Sequence, residues 1–333
     1  MANVMAAVRF ITALIILLIA ALVVSTIITT SQKPIQNTSN LNSTTIPATT
    51  YTTSTSVSTP STTSTAPPVP NTTSIYPNST NASNSAFPYR FGWVVLSGAV
   101  NQIIGLNATL AKWAFDNPNT IIIGAVPKGW VSKRAADFHN YSALNASIAS
   151  LSPSEYYGII LDQENWSFTP LHEQLNTTYY TMLSYRIAKP HGLVLISTPA
   201  LDLAKAYGYR SNFSGVFERL GIAYNSSMYS QIYELQAQSL ERNTSTFASF
   251  SHDEYLQAKS ANPDIKFFIG ISTNPNSENI TGEELYAAIN STENFSDGYW
   301  LNVPNQSAYC PGCGKAKPEV AVQLLQILYR KAE

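Results

Sequence analysis

The chain has 333 residues, a formal net charge of −1 and only 12% charged residues, against roughly 25% in average soluble proteins. With 19 Lys and Arg and no basic cluster, it lacks the positive surface that binding to phosphate backbones requires, which argues against nucleic acid as a partner. No Gly-rich phosphate loop of the Walker or dinucleotide type occurs, and neither a nucleotide nor any other cofactor is expected.

A short stretch, residues 1–9, precedes an uncharged apolar run at 10–28, FITALIILLIAALVVSTII. Its 19 residues would cross the ~30 Å hydrocarbon core of a bilayer as a helix. A cleavable signal peptide usually has an apolar region of roughly 7–15 residues and a small-residue cleavage site. The run is longer and no clean site follows, so an uncleaved single-pass transmembrane anchor is expected, with a signal peptide as the alternative. Arg9 and Lys33 flank it almost symmetrically, so orientation must come from the residues that follow.

Residues 29–85 form a stalk dominated by Ser, Thr, Asn and Pro, and no charged residue occurs between Pro34 and Tyr89. Too few large apolar side chains are present to offset the entropy of ordering, so an extended, disordered segment is expected. Such tracts read as glycosylated stalks. Seventeen of the 27 asparagines lie in N-x-S/T sequons, and together they favour an exported glycoprotein. The expectation is a cell-membrane protein whose C-terminal domain, residues 86–333, is extracellular.

In that domain apolar, β-rich runs alternate with helical patterns, as a parallel sheet with crossover helices requires. The runs lie at 91–97, 120–126, 157–162, 193–198, 232–236, 267–272 and 299–303, with an eighth, irregular strand sought in 127–156. Helices are clearest at Thr177–Ala188, 282–289 and 318–331. About 250 residues suit a (β/α)8 TIM-like barrel. An open doubly wound sheet is the structural alternative.

The most informative string is GIILDQENW at 158–166, which sets two carboxylates two residues apart where an apolar strand ends. Side chains at i and i+2 of a strand share one face, so Asp162 and Glu164 should sit together at the C-terminal end, where barrel enzymes keep their chemistry. Carboxylates this close resist ionising together, so one can stay protonated near neutral pH. Glu164, further out, is the expected proton donor, with Asp162 as its anionic partner. Glycosidic cleavage is the chemistry such a pair suits.

Other strands also end in polar or aromatic residues. By alternation, Ser197, Glu234 with Gln236 and Gln238, Ser272 with Asn274, and Trp300 with Asn302 are expected to converge on the same mouth. Glu234, Gln236, Gln238, Trp300 and Asn302 are the expected substrate-binding set.

The string YGIILDQE resembles the fourth-strand pattern D-G-x-D-x-D-x-E of glycoside hydrolase family 18, the chitinase-like barrels, keeping Gly158, Asp162 and Glu164. Tyr157 and Ile160 stand where that family has its two upstream aspartates, and Gln163 replaces a usual aromatic. The resemblance implies substrate-assisted hydrolysis of N-acetylated glycans, with Gln236 and Gln238 holding an acetamido group and Trp300 forming the floor. The domain also looks like uncharacterised secreted bacterial and archaeal proteins. The alternative function is a non-catalytic glycan-binding or cell-surface structural module on the same barrel.

The remaining motifs point less clearly to a site. Cys310 and Cys313 form CPGC, which outside the cell reads as a local disulfide, and no histidine pairs with it at zinc spacing. No metal site is expected. His172 and Glu173 open a helix and could reach the mouth, and Trp93, Trp130 and Trp166 could stack on sugars. A nucleophile-elbow G-x-S-x-G is absent.

Overall fold

The computed structural model of the protein describes residues 91–307, 310 and 312–332; the expected anchor at 10–28 and stalk at 29–85 lie outside them. Among the described residues no helix is long and apolar enough to cross a membrane.

The chain order is β1 (Gly92–Leu96), α1 (Ser97–Phe115), β2 (Ile121–Ile123), β3 (Lys133–Phe138), α2 (Tyr141–Ser147), β4 (Gly158–Leu161), α3 (Leu171–Gln174), α4 (Thr177–Ala188), β5 (Val194–Ser197), α5 (Phe213–Arg219), α6 (Ile222–Ser227), β6 (Ile232–Leu235), α7 (Thr244–Ala261), β7 (Lys266–Ser272), α8 (Gly282–Thr292), β8 (Gly298–Asn302) and α9 (Pro318–Ala332). The eight strands close into a barrel, each paired in parallel with its sequence neighbours. β8 returns to β1 with Gly92 opposite Gly298 and Val94 opposite Trp300. Closure rules out the open sheet.

The (β/α)8 expectation needs one correction. No α-helix lies between β2 and β3; residues 124–132 make that connection alone. β3 is the strand that could only be sought within 127–156. Its sequence, KRAADF, carries two cations, two alanines and an aspartate, and only Ala135 is buried.

Alternation along the strands divides the core. Val94, Ile121, Ile123, Ala135, Ile160, Ile196, Ile232, Phe268 and Trp300 fill the barrel interior. Their neighbours, such as Trp93, Val95, Tyr233, Leu235 and Tyr299, face outward beneath the helices. Burial on both faces explains why most strands read as continuous apolar runs. Each fully buried aliphatic side chain contributes ~1.5–3 kcal/mol relative to exposure. The interior set also fixes phase: once Ile160 and Ile232 point inward, so do Asp162, Glu234 and Gln236.

Local chemistry sets the helix ends. Thr281 and Glu284 form a reciprocal capping box at α8, each side chain bonded to the other's backbone N–H. Asn107 breaks α1 with φ −156° and ψ 89°, and its Oδ1 accepts the Leu110 N–H at 3.0 Å, restarting the helix. Asn140 and Asn243 cap α2 and α7 in the same way. Three sequon asparagines are thus helix caps, so N-capping, which favours Asn, accounts for part of the sequon count. α9 packs against α1 and α8, completing the outer layer beside β8 and β1.

Candidate active site

The C-terminal ends of the strands surround a cavity of about 690 Å³. Asp162, Glu164, Gln236, Gln238, Trp300 and Asn302 all line it. The chain therefore brings together six of the seven residues expected to act on or bind substrate. Glu234 is the exception: it occupies the inward position below Gln236, is fully buried and does not line the cavity. A carboxyl beneath the floor cannot make the direct substrate contact expected of it.

Two further lining residues, Asp137 and His139, come from the end of β3. Asp137 is two residues after Ala135 and so faces inward, opposite Ile160 in the strand register. The Asp162 N–H donates to the Phe138 carbonyl at 2.8 Å, which ties the ends of β3 and β4 together. His139 Nδ1 lies 3.5 Å from Asp162 Oδ2. Ligand atoms of Asp137, His139 and Asp162 all fall within 4.8 Å of one another, so this trio has the composition and spacing to hold a divalent cation. Neither residue was singled out from sequence. The available signal was Ala135, Asp137 and His139 at i, i+2 and i+4, one face of a strand that the composition of KRAADF hides.

Asp162 is held by donors. Gln236 Nε2 reaches its Oδ1 at 2.6 Å and the Thr198 hydroxyl reaches the same oxygen at 3.3 Å. Gln236 Nε2 also donates to the Thr198 carbonyl at 2.8 Å and the same amide bonds Glu164, so its two N–H groups are fully shared among these three acceptors. It has none left for an acetamido carbonyl, contrary to the role implied by the family resemblance.

His139 packs edge-on against Trp166, with ring centroids 4.7 Å apart. Trp166 Nε1 donates to Thr169 Oγ1 at 2.8 Å, and that hydroxyl donates to the His139 carbonyl at 2.7 Å. This network fixes Trp166 in the cavity wall. Trp93 lies in the outer core between Phe91, Phe115 and Tyr299, and Trp130 packs against that core, so neither reaches the cavity.

Burial, together with the charges of Asp162 and Asp202, pushes the Glu164 carboxyl up to about 9, against the opposing effect of its hydrogen bond with Gln236. Burial and the Asp162 charge raise Asp137 to about 7 even though His139 opposes the shift. Burial disfavours the His139 imidazolium, but the hydrogen bond with Asp162 and the charges of Asp137 and Asp162 outweigh it and raise the imidazole. Burial holds Glu234 well above the usual carboxylate range, and Asp162 and Glu164 add to the shift. Glu164 is thus a neutral acid at neutral pH.

The raised Asp137 value has a consequence for stability. The folded state keeps a proton that the unfolded chain loses above about pH 4, so this group costs stability increasingly as pH rises to about 7. Asp137→Asn should therefore gain stability over the parent between pH 4 and 7 and hold a constant margin above that, by up to about 4 kcal/mol. Urea unfolding of both proteins across this range is the check. A difference that does not change with pH would contradict the assignment.

Other expected residues lie elsewhere. Ser197 follows the inward Ile196 and points outward; Thr198 takes its place at the site. Ser272 Oγ accepts from the Asn274 N–H at 3.1 Å, while Asn274 binds the Cys313 carbonyl and Lys317 and so braces the last loop. Glu173 is buried and accepts the Tyr141 N–H at 2.8 Å, a helix-start role. Cys310 and Cys313 are joined by a disulfide at the cavity rim.

Asn165 adjoins the acid within a sequon, yet its Nδ2, the atom that would carry a glycan, donates to Gln174 Oε1 at 2.6 Å. We expect it to be unmodified. Glycopeptide mapping that found this site fully occupied would contradict the arrangement.

The fold and site define a closed parallel eight-stranded barrel with an acidic cavity at the strand C-termini. No protein-family model matches the chain, and no curated protein matches it either. Among solved structures the chain is similar to triosephosphate isomerase from Bartonella henselae, at 13% identity over 73% of this chain and 100% of that one, with a TM-score of 0.41. It is also similar to a candidate alpha-L-fucosidase from Bacteroides thetaiotaomicron, at 10% identity over 71% of this chain and 87% of that one, with a TM-score of 0.46. A candidate aldolase's N-terminal domain from Bacteroides vulgatus matches at 9% identity over 72% and 80%, with a TM-score of 0.40. These scores carry no argument about reaction or substrate, and the functional reading rests on the cavity's own residues.

Proposed function

We propose that the protein is a glycoside-hydrolase-like barrel that cleaves glycans at the mouth formed by Asp137, Asp162 and Glu164. The observation that carries this reading is the Glu164 carboxyl, kept protonated beside Asp162 within a cavity walled by Trp166 and Trp300. A neutral acid beside an anion, with aromatic faces for sugar rings, is the equipment of glycosidic cleavage.

In this reading Glu164 passes its proton to the glycosidic oxygen as the bond from that oxygen to the anomeric carbon breaks. Asp162, oriented by Gln236 and Thr198, stabilises the positive charge that develops on the ring. Water then bonds to the anomeric carbon and gives up a proton to the Asp137–Asp162 carboxylate pair, which returns one to Glu164. Asp137 supplies from β3 a second carboxylate beside Asp162, which the fourth strand lacks because Ile160 faces the barrel interior.

The apolar run at 10–28, the uncharged stalk at 29–85 and the sequons support placing this activity outside a cell, on a membrane-anchored domain. The test is to incubate the purified domain with a panel of polysaccharides, measuring binding and the release of reducing ends separately. Release supports the reading. Binding without release on any substrate supports a glycan-binding module instead.

A further inference from the structure

We infer that the cavity selects glycans bearing a free, protonated amine, the deacetylated amino sugars, over N-acetylated, neutral or anionic ones. This inference rests on the glycan reading of the same site.

Charge favours the amine. Among the described residues Asp137, Asp162 and Glu164 line the cavity and no Lys or Arg does, and His139 is the only basic side chain in its wall. A uronate or a sulfated sugar would meet three carboxyls without a partner. An ammonium group would meet complementary charge in the carboxyls of this wall.

The site is also short of donors. Oδ1 of Asp137 is closed off from solvent and accepts no hydrogen bond. Beneath the floor Glu234 is 0% exposed, and both of its oxygens also lack a donor. It points into space kept open by Gly270, where an added Cβ would come within 2.6 Å of Glu234 Oε1 and 2.5 Å of Gln238 Nε2. Gln238 in turn lines the cavity, so this carboxyl lies beneath the floor, behind the Gln238 amide, and offers a bound sugar no donor of its own. An ammonium brings three N–H donors together with its charge.

An acetyl group would forfeit these contacts. An acetamide replaces those donors with one N–H and adds a carbonyl that itself needs a donor. Gln236, the amide nearest Asp162, already donates to Asp162 and to the Thr198 carbonyl. Trp300, whose Nε1 is closed off from solvent, offers the rest of the sugar an apolar face.

The experiment titrates chelator-treated protein with four sets of oligosaccharides of equal length: glucosamine and galactosamine oligomers, their N-acetylated forms, neutral hexose oligomers and uronate oligomers. Calorimetry is run at a pH where the amine is protonated. The expected result is binding of an amino-sugar oligomer on the order of tenfold tighter than its acetylated form, falling as salt is raised. Asp137→Asn should reduce that preference, lowering affinity for the amino-sugar oligomers more than affinity for the neutral ones. Equal or tighter binding of acetylated or neutral oligomers would overturn the inference and leave the glycan reading intact. Binding that appears only after zinc or manganese is restored would also overturn it, because the acids would then be metal ligands. If none of the oligomers binds, with or without metal, the glycan reading falls and the inference falls with it.

Discussion

Glu164→Gln should lower kcat by about 10²–10⁴-fold while leaving substrate affinity nearly unchanged, the range associated with removal of a general acid. The amide keeps the size and much of the hydrogen bonding of the side chain, so loss of the proton is the main change. In the parent, Glu164 stays protonated through neutral pH because burial and the charges of Asp162 and Asp202 hold it near 9. Its kcat/KM should therefore fall as pH rises through about 9, and the variant should lack that alkaline limb. Substrates with good aryl leaving groups need little protonation, so they should lose much less rate. An unchanged kcat on an unactivated glycan would remove Glu164 from the mechanism and direct attention to Asp137.

Asp162→Asn should lower turnover by about 10²–10³-fold for a different reason, the loss of a preoriented negative charge where positive charge develops. It also has a signature of its own. The Asp162 charge is one of the causes that raise Glu164, so removing it should move the alkaline limb to lower pH. The same charge raises Asp137, which should then ionise at lower pH as well. A variant whose rate falls while its pH profile stays in place would show that Asp162 acts by holding the loop rather than through its charge.

Much of this site was legible because apolar runs set the phase of the polar residues that follow them. Ile159, Ile160 and Leu161 lead straight into Asp162, and Tyr299 through Leu301 lead to Asn302, so strand alternation placed both on the correct side. Alternation misplaced Ser197, since phase there depends on Ile196 facing inward and one residue decides the face. Asp137 and His139 were not legible. β3 reads as a polar segment with one buried alanine, and the proximity of its end to β4 comes from barrel closure, a tertiary property. Helices α1 and α7 were not among the clearest in sequence for a related reason: α1 is interrupted at Asn107, and α7 is rich in Ser and Thr, so neither shows a clean apolar stripe. Glu234 shows the opposite error. Its strand and face were correct, but depth along the strand, which decides between wall and floor, is not written in a period of two.

The ends of β3, β4, β6 and β8 should form one glycan site with Glu164 as its acid. A crystal structure of the Glu164→Gln variant with a bound oligosaccharide tests it most directly. A glycosidic oxygen should lie within hydrogen-bond reach of the side chain at position 164, with a sugar ring against Trp300 and Asp137 and Asp162 beside the anomeric carbon. An oligosaccharide seated instead in the cleft between Asn107 and Arg330, with the barrel mouth empty, would contradict it.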